Sequence, residues 1–271
     1  MARKIAGGFF AGGLSLAIAS AFGLMDARSV AAQEAPPLSP ACQAPSSDIA
    51  APAPLPGFTA ALATRKAAKI LAIGSSSTVG VGASSRARNY PAQLTDILER
   101  ALKGVDVAIV NRGVSGEVAA TTAERLRSEA AVEKPDLVLW QLGTNDALAR
   151  VPVEDFEATV RTTIAWLKQS GIDVVLVGLQ YTPQFARDDN YRAMREALQA
   201  IASSENILYV RRYDAMQFIA RARAAPPMVA GDDLHLNDLG YRCMAEHVAH
   251  AVIANLFVRR FRPNTDAPPQ P

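Results

Sequence analysis

From position 68 onward the chain keeps to one pattern. A short, unbroken apolar run is followed by a loop, then by a stretch with apolar residues at helical spacing, then by the next run. The runs at 69–74, 105–113, 135–143, 172–180 and 206–210 are rich in Val, Ile and Leu, with no polar alternation. Strands of that kind are buried on both faces. The segments at 91–103, 117–132, 152–171, 188–205 and 237–257 read as helices; Pro152 opens one and Gly171 closes it. Strand–helix alternation of this sort builds a parallel sheet covered on both sides. The expected fold is a three-layer α/β/α sandwich with a central five-stranded parallel sheet.

The ends of the chain are different material. Arg3 and Lys4 precede an uncharged stretch at 5–25, and the small residues Val30 and Ala32 precede Gln33. This is the pattern of a secretory signal peptide over 1–32, cleaved after Ala32. The uncharged stretch is long enough to span a bilayer, but its Ala, Gly and Ser content argues against a stable anchor. Residues 33–66 are Pro- and Ala-rich and are expected to be a flexible segment. A folded domain is expected over 67–260 and a disordered tail over 261–271.

Charge excludes one class of partner. The chain carries a net charge of +2, and Arg3, Lys4 and Arg28 against Asp26 already account for it within 1–32. The remainder is neutral, with no basic stripe for nucleic acid. Cys42 and Cys243 are the two cysteines. In an oxidising compartment they can pair, which would pin the N-terminal segment to the last helix; two separate thiols are the other reading, since sequence gives no distance.

In a sheet of this kind the ligand crevice opens beyond the carboxyl ends of the strands. After the first run comes Gly74-Ser75-Ser76-Ser77-Thr78; after the second, "NRGVSG" with Asn111, Gly113 and Gly116; after the third, "GTND" over 143–146. Asp232 and His235 lie in "GDDLHLN", just ahead of the last helix. A phosphate cradle would need Gly-Lys-Ser/Thr or Gly-x-Gly-x-x-Gly at the first turn, and neither is present. That reading also leaves Asn145 and His235 without a task.

Acyl transfer gives every group one. A serine hydroxyl is a weak nucleophile until a base takes its proton, and His235 is the candidate base. A carboxylate three residues back, Asp232, can hold the imidazole in the correct tautomer. The oxyanion needs fixed donors: the nucleophile's N–H, the Gly113 N–H and the Asn145 amide.

Taken together the four blocks resemble the SGNH (GDSL-type) hydrolases, whose name lists a Ser, a Gly, an Asn and a His. The wording looks nearest to the bacterial thioesterase, lysophospholipase and arylesterase branch. The resemblance runs from about Ile70 to Ala251 and implies a flavodoxin-like fold and a serine esterase. It makes Ser76 the nucleophile, His235 the base and Asp232 its partner, with Ser76, Gly113 and Asn145 as the oxyanion hole. The substrate would be an ester of a lipid, a carbohydrate or a small alcohol, handled without metal or organic cofactor. One position departs from the family: Ser75 stands where Asp is usual, a turn-supporting role that a local backbone bond from serine can fill.

Other residues carry less. Tyr181 and Gln180, just past the fourth run, are candidates for the substrate pocket, with plain packing as the equal alternative. His247 and His250 sit inside the last helix without a third ligand at metal-binding spacing, so packing or solvation suits them better. Asp146 and Asp233 are expected to cap or solvate turns, and Asn111 to brace the glycine loop. A relative that binds polysaccharide without catalysis is the rival in another class; such relatives usually lose the nucleophile or the base, and both are present here.

Overall fold

The computed structural model describes residues 35–221 and 226–256. The expected signal peptide, the first two residues of the Pro/Ala-rich segment and the expected tail lie outside the described residues.

Six strands form one sheet in the order β1-β6-β5-β4-β2-β3. They are β1 (Ala50–Ala51), β2 (Ala67–Gly74), β3 (Asp106–Gly113), β4 (Leu137–Gln141), β5 (Asp173–Val177) and β6 (Leu208–Val210). The five expected strands, β2 to β6, all pair in parallel. The sheet gains a sixth, β1, which runs antiparallel to β6 with Ala50 opposite Val210. Two residues are too few to show any period, so no sequence pattern announces this strand.

Ten helices accompany the sheet: α1 (Ser46–Ile49), α2 (Pro56–Arg65), α3 (Ser76–Val79), α4 (Tyr90–Ala101), α5 (Ala119–Glu133), α6 (Thr144–Leu148), α7 (Val153–Gln169), α8 (Asp189–Ser204), α9 (Arg212–Ala220) and α10 (Asp238–Leu256), counted among the described residues. Side chains of a strand alternate between faces, and the two cores divide accordingly. Ile70 and Ala72 of β2 join Leu139, Val175 and Val177 in a core closed by α2, α4 and α10. Leu71 and Ile73 join Val138, Trp140 and Leu176 in a second core closed by α5, α7 and α8. Continuous apolar strands are what a sheet with two buried faces requires.

The Pro/Ala-rich segment is not a free tether from residue 35 on. Cys42, Leu55 and Phe58 are buried in the first core, and Ala61 and Leu62 of α2 pack there too. Cys42 is bonded to Cys243 of α10. Beside that link, His247 Nε2 donates to the Cys42 carbonyl at 2.8 Å, and burial holds its pKa below the usual imidazole range. The Phe58 N–H donates to Asp173 at 2.8 Å. Average composition hid the reason: Pro56 starts a helix whose apolar residues reach the core, and a covalent link fixes the segment further.

The order of strands reverses between β2 and β4. From β2 the chain goes out to edge strand β3, then crosses back past β2 to β4 and on towards β6. A crevice opens where such a reversal occurs, beyond the carboxyl ends of the two strands.

Candidate active site

β2 ends at Gly74 and the chain turns at once into α3, with Ser76 its first residue. Ser75 stays extended (φ −93°, ψ −151°), and its N–H and Oγ both donate to Gln141 Oε1 at 3.0 Å. Gln141 closes β4, so the turn is anchored on the neighbouring strand rather than by the local backbone bond expected for Ser75. Ser75, Ser77 and Thr78 are 5%, 4% and 0% exposed, whereas Ser76 is half-buried. Of the four hydroxyl residues in the run, Ser76 is the one that is not buried.

The glycine block departs from expectation. Gly113 pairs with Gly74 in the sheet, and its N–H donates to Asn111 Oδ1 at 2.9 Å. That N–H is therefore engaged within the loop. A Cβ at 113 would meet Val79 N at 2.4 Å, so the glycine lets α3 approach β3. Asn111 braces this contact as anticipated, donating from Nδ2 to the Thr78 carbonyl at 2.7 Å. Gly116 is placed differently. Its φ is +84°, a Cβ there would meet nothing within 4 Å, and its N–H has no partner among the described residues.

Asn145 stands in α6, directly after β4, and its Nδ2 donates to the Glu117 carbonyl at 2.8 Å, next to Gly116. An amide carries two N–H bonds, so a second remains. Asp146 is buried and ties the two loops together, accepting from Ala119 N–H at 2.7 Å and Gly143 N–H at 3.1 Å. Burial raises its pKa, which those two N–H donors partly offset.

The histidine arrives from the far end of the chain. Asp232 Oδ2 lies 2.6 Å from His235 Nδ1, and Asp232 Oδ1 accepts the N–H groups of Leu234 and His235 at 3.0 and 2.9 Å. The His235 side-chain bond, then the two backbone donors, lower the Asp232 pKa to about 2. One carboxylate thus holds both the ring and the turn beneath it. The turn packs on the loop that follows Ser76. Gly82 has φ +91°, and a Cβ there would meet the Leu236 carbonyl at 2.4 Å and His235 Cβ at 3.1 Å. Ser84 is bonded to Asp238, and the Tyr241 hydroxyl donates to the Val81 carbonyl at 2.6 Å.

Residues 41–257 match the non-GDSL lipase-like family. The chain belongs to that family. This places it among the SGNH, or GDSL-type, serine ester hydrolases. The family's name suits the nucleophile block, where Gly74-Ser75-Ser76-Ser77 stands in place of Gly-Asp-Ser-Leu. An arylesterase of Vibrio mimicus is 25% identical over 199 residues, covering 73% of this chain and 95% of that one. The esterase TesA of Pseudomonas aeruginosa is 30% identical over 126 residues, 46% of this chain and 61% of TesA. Among solved structures, a two-domain esterase active on acetylated mannans superposes with a TM-score of 0.66 at 19% identity, covering 83% of this chain and 61% of that one.

In this non-GDSL lipase-like chain the two expected substrate-pocket residues separate. Tyr181 is half-buried, its ring edge-on to Tyr213 with centroids 5.2 Å apart. Gln180 is 2% exposed and both ends of its amide are engaged, with Nε2 donating to the Leu234 carbonyl and Oε1 accepting from Arg212. It has no surface for substrate. Sequence reading placed Gly116 in the "NRGVSG" block, three residues past the glycine chosen, but gave it no role. It did not single out Arg212; a buried arginine leaves no mark in a sequence.

Proposed function

We propose that this protein is a secreted serine esterase that hydrolyses carboxylic esters through Ser76, His235 and Asp232. The observation that carries the reading is the Asp232–His235 pair, 2.6 Å apart, resting on the loop that leaves Ser76 at the sheet's switch point. Ser76 Oγ attacks the ester carbonyl while His235 Nε2 takes its proton. Asp232 keeps the imidazole oriented through Nδ1 and stabilises the imidazolium that forms. The oxyanion accepts from the Ser76 N–H, the Gly116 N–H and the second N–H of Asn145. Gly116 replaces Gly113 here because the Gly113 N–H is already bonded to Asn111. His235 then protonates the departing alcohol, and a water activated by the same base releases the acid.

Export is supported by the charged start and uncharged stretch at 1–32 and by the Cys42–Cys243 bond, which suits an oxidising compartment. No helix among the described residues is long and apolar enough to cross a membrane.

A series of p-nitrophenyl esters from acetate upward tests the activity and reads the acyl length. Ser76→Ala is expected to lower the rate by about 10⁴-fold or more with the fold intact. If Ser76→Ala stays active while Ser75→Ala or Ser77→Ala is dead, the nucleophile is misassigned.

A further inference from the structure

Arg212 is a buried cation, 2% exposed, at the start of α9 just beyond β6. Among the described residues no carboxylate pairs with it: its guanidinium donates to Gln180 Oε1 and to Met244 Sδ at 3.6 Å, and Nε has no partner. Burial lowers its pKa, and the tyrosines around it, 191, 241, 90 and 209, partly offset that. Burying an unpaired charge costs stability, and replacing such groups by apolar ones is often neutral or better. Its position relative to the catalytic turn gives the charge a use.

We infer that Gln180, held in one orientation by Arg212, is a positioning residue for His235. A guanidinium has donors only, so it fixes which end of the Gln180 amide carries oxygen. The other end, Nε2, then faces the Leu234 carbonyl, a group that only accepts. Neither contact survives a flip of the amide. The Leu234 carbonyl belongs to the same peptide unit as the His235 N–H, and that N–H donates to Asp232 Oδ1. The peptide plane carrying His235 is thus gripped from both sides, by Gln180 from the sheet and by Asp232 from the turn. Tyr191 supports the arrangement by donating to the Gln180 carbonyl at 2.7 Å. Around this grip the turn is open, with Gly231, Asp232 and Asp233 exposed and one isolated bridge, Val229 to Leu236, behind it.

The inference rests on His235 acting as the base, and Gln180→Glu tests it. Glutamate keeps the shape and gives Arg212 a carboxylate, so melting temperature should hold or rise, but it has no N–H for Leu234. In the disulfide-intact protein, kcat on p-nitrophenyl acetate should fall about 10–100-fold with KM within about twofold, the size of effect expected when a catalytic group is misplaced. Amide hydrogen exchange over 229–236 should become faster. Arg212→Met should show the same loss of kcat without loss of melting temperature. Wild-type kcat in Gln180→Glu, unchanged exchange at 229–236, or activity that falls only in step with the folded fraction would each overturn the inference. If the parent protein hydrolyses no ester, the esterase reading fails by itself and the exchange measurement still judges the brace.

Discussion

Asn145 donates one amide hydrogen to the Glu117 carbonyl and has a second to offer the crevice. If that second bond strengthens as charge develops on the substrate oxygen, Asn145→Ala lowers kcat by roughly 10²–10³ and leaves KM nearly unchanged. Steady-state kinetics on a short nitrophenyl ester decide it, and an effect on KM alone removes Asn145 from the oxyanion hole. The two glycines should also part company. A methyl at 113 must push α3 off β3, because Val79 N would lie 2.4 Å away. A methyl at 116 meets open space and bears only the cost of its positive φ, about 1–2 kcal/mol. Thermal melts should therefore rank Gly113→Ala below Gly116→Ala; the opposite order would refute the packing role. Asp232 makes a pH prediction. Its folded pKa, about 2, is below that of an unfolded aspartate, so its stabilising effect is present above about pH 4 and fades as pH falls towards 2. The melting-temperature deficit of Asp232→Asn should accordingly be larger at pH 5 than at pH 3. At this scale the blocks that carry Ser76, Asn145, Asp232 and His235 could be placed from sequence because each is short and lies at a strand end or ahead of a helix. The bond from the Gly113 N–H to Asn111 could not be placed, because sequence does not show whether an N–H is already bonded.

Among the elements, the long periodic ones were legible and the short ones were not. Helices α5, α7 and α8 begin and end within two residues of their expected bounds, since an amphipathic pattern survives over many turns. β1, α3 and α6 are two to five residues long and exist because tertiary contacts impose them. The segment ahead of β2 was hardest to read, because prolines dominate its average while Phe58 and Cys42 decide its fate. Its attachment can be measured. The Cys42–Cys243 link spans 201 residues, and removing a link over so long a loop typically costs about 2–5 kcal/mol. A Cys42→Ala/Cys243→Ala double variant, or the reduced parent, should lose stability of that order in urea titrations. A midpoint unmoved by reductant would show that packing alone holds the segment.

At the scale of the whole molecule, the proposed site draws on distant parts of the chain. Ser76, Gly116 and Asn145 follow three neighbouring strands, while His235 waits for the segment ahead of α10. Alternation of apolar runs made the sheet legible, and the rule that crevices open at a reversal of strand order says where the proposed site should lie. The N-terminal layer was not legible, yet it should matter globally. Removing residues 1–66 takes away α2 and the segment before it, so the first core would lose Cys42, Leu55, Phe58 and Ala61 at once. The truncated chain is expected to unfold without a cooperative transition in a thermal scan, and a sharp transition matching the parent would contradict that.

The link between Cys42 and Cys243 also sets a timetable for manufacture. The two thiols lie 201 residues apart and the second belongs to α10, so the bond cannot close until everything between them has been made. The chain has two cysteines and therefore one internal pairing. Oxidation of a single chain cannot produce a scrambled isomer, and the error left open is a bond between two chains. Maturation then needs an oxidant and dilution rather than a shuffling catalyst, and crowding before the bond closes is where covalent dimers would arise.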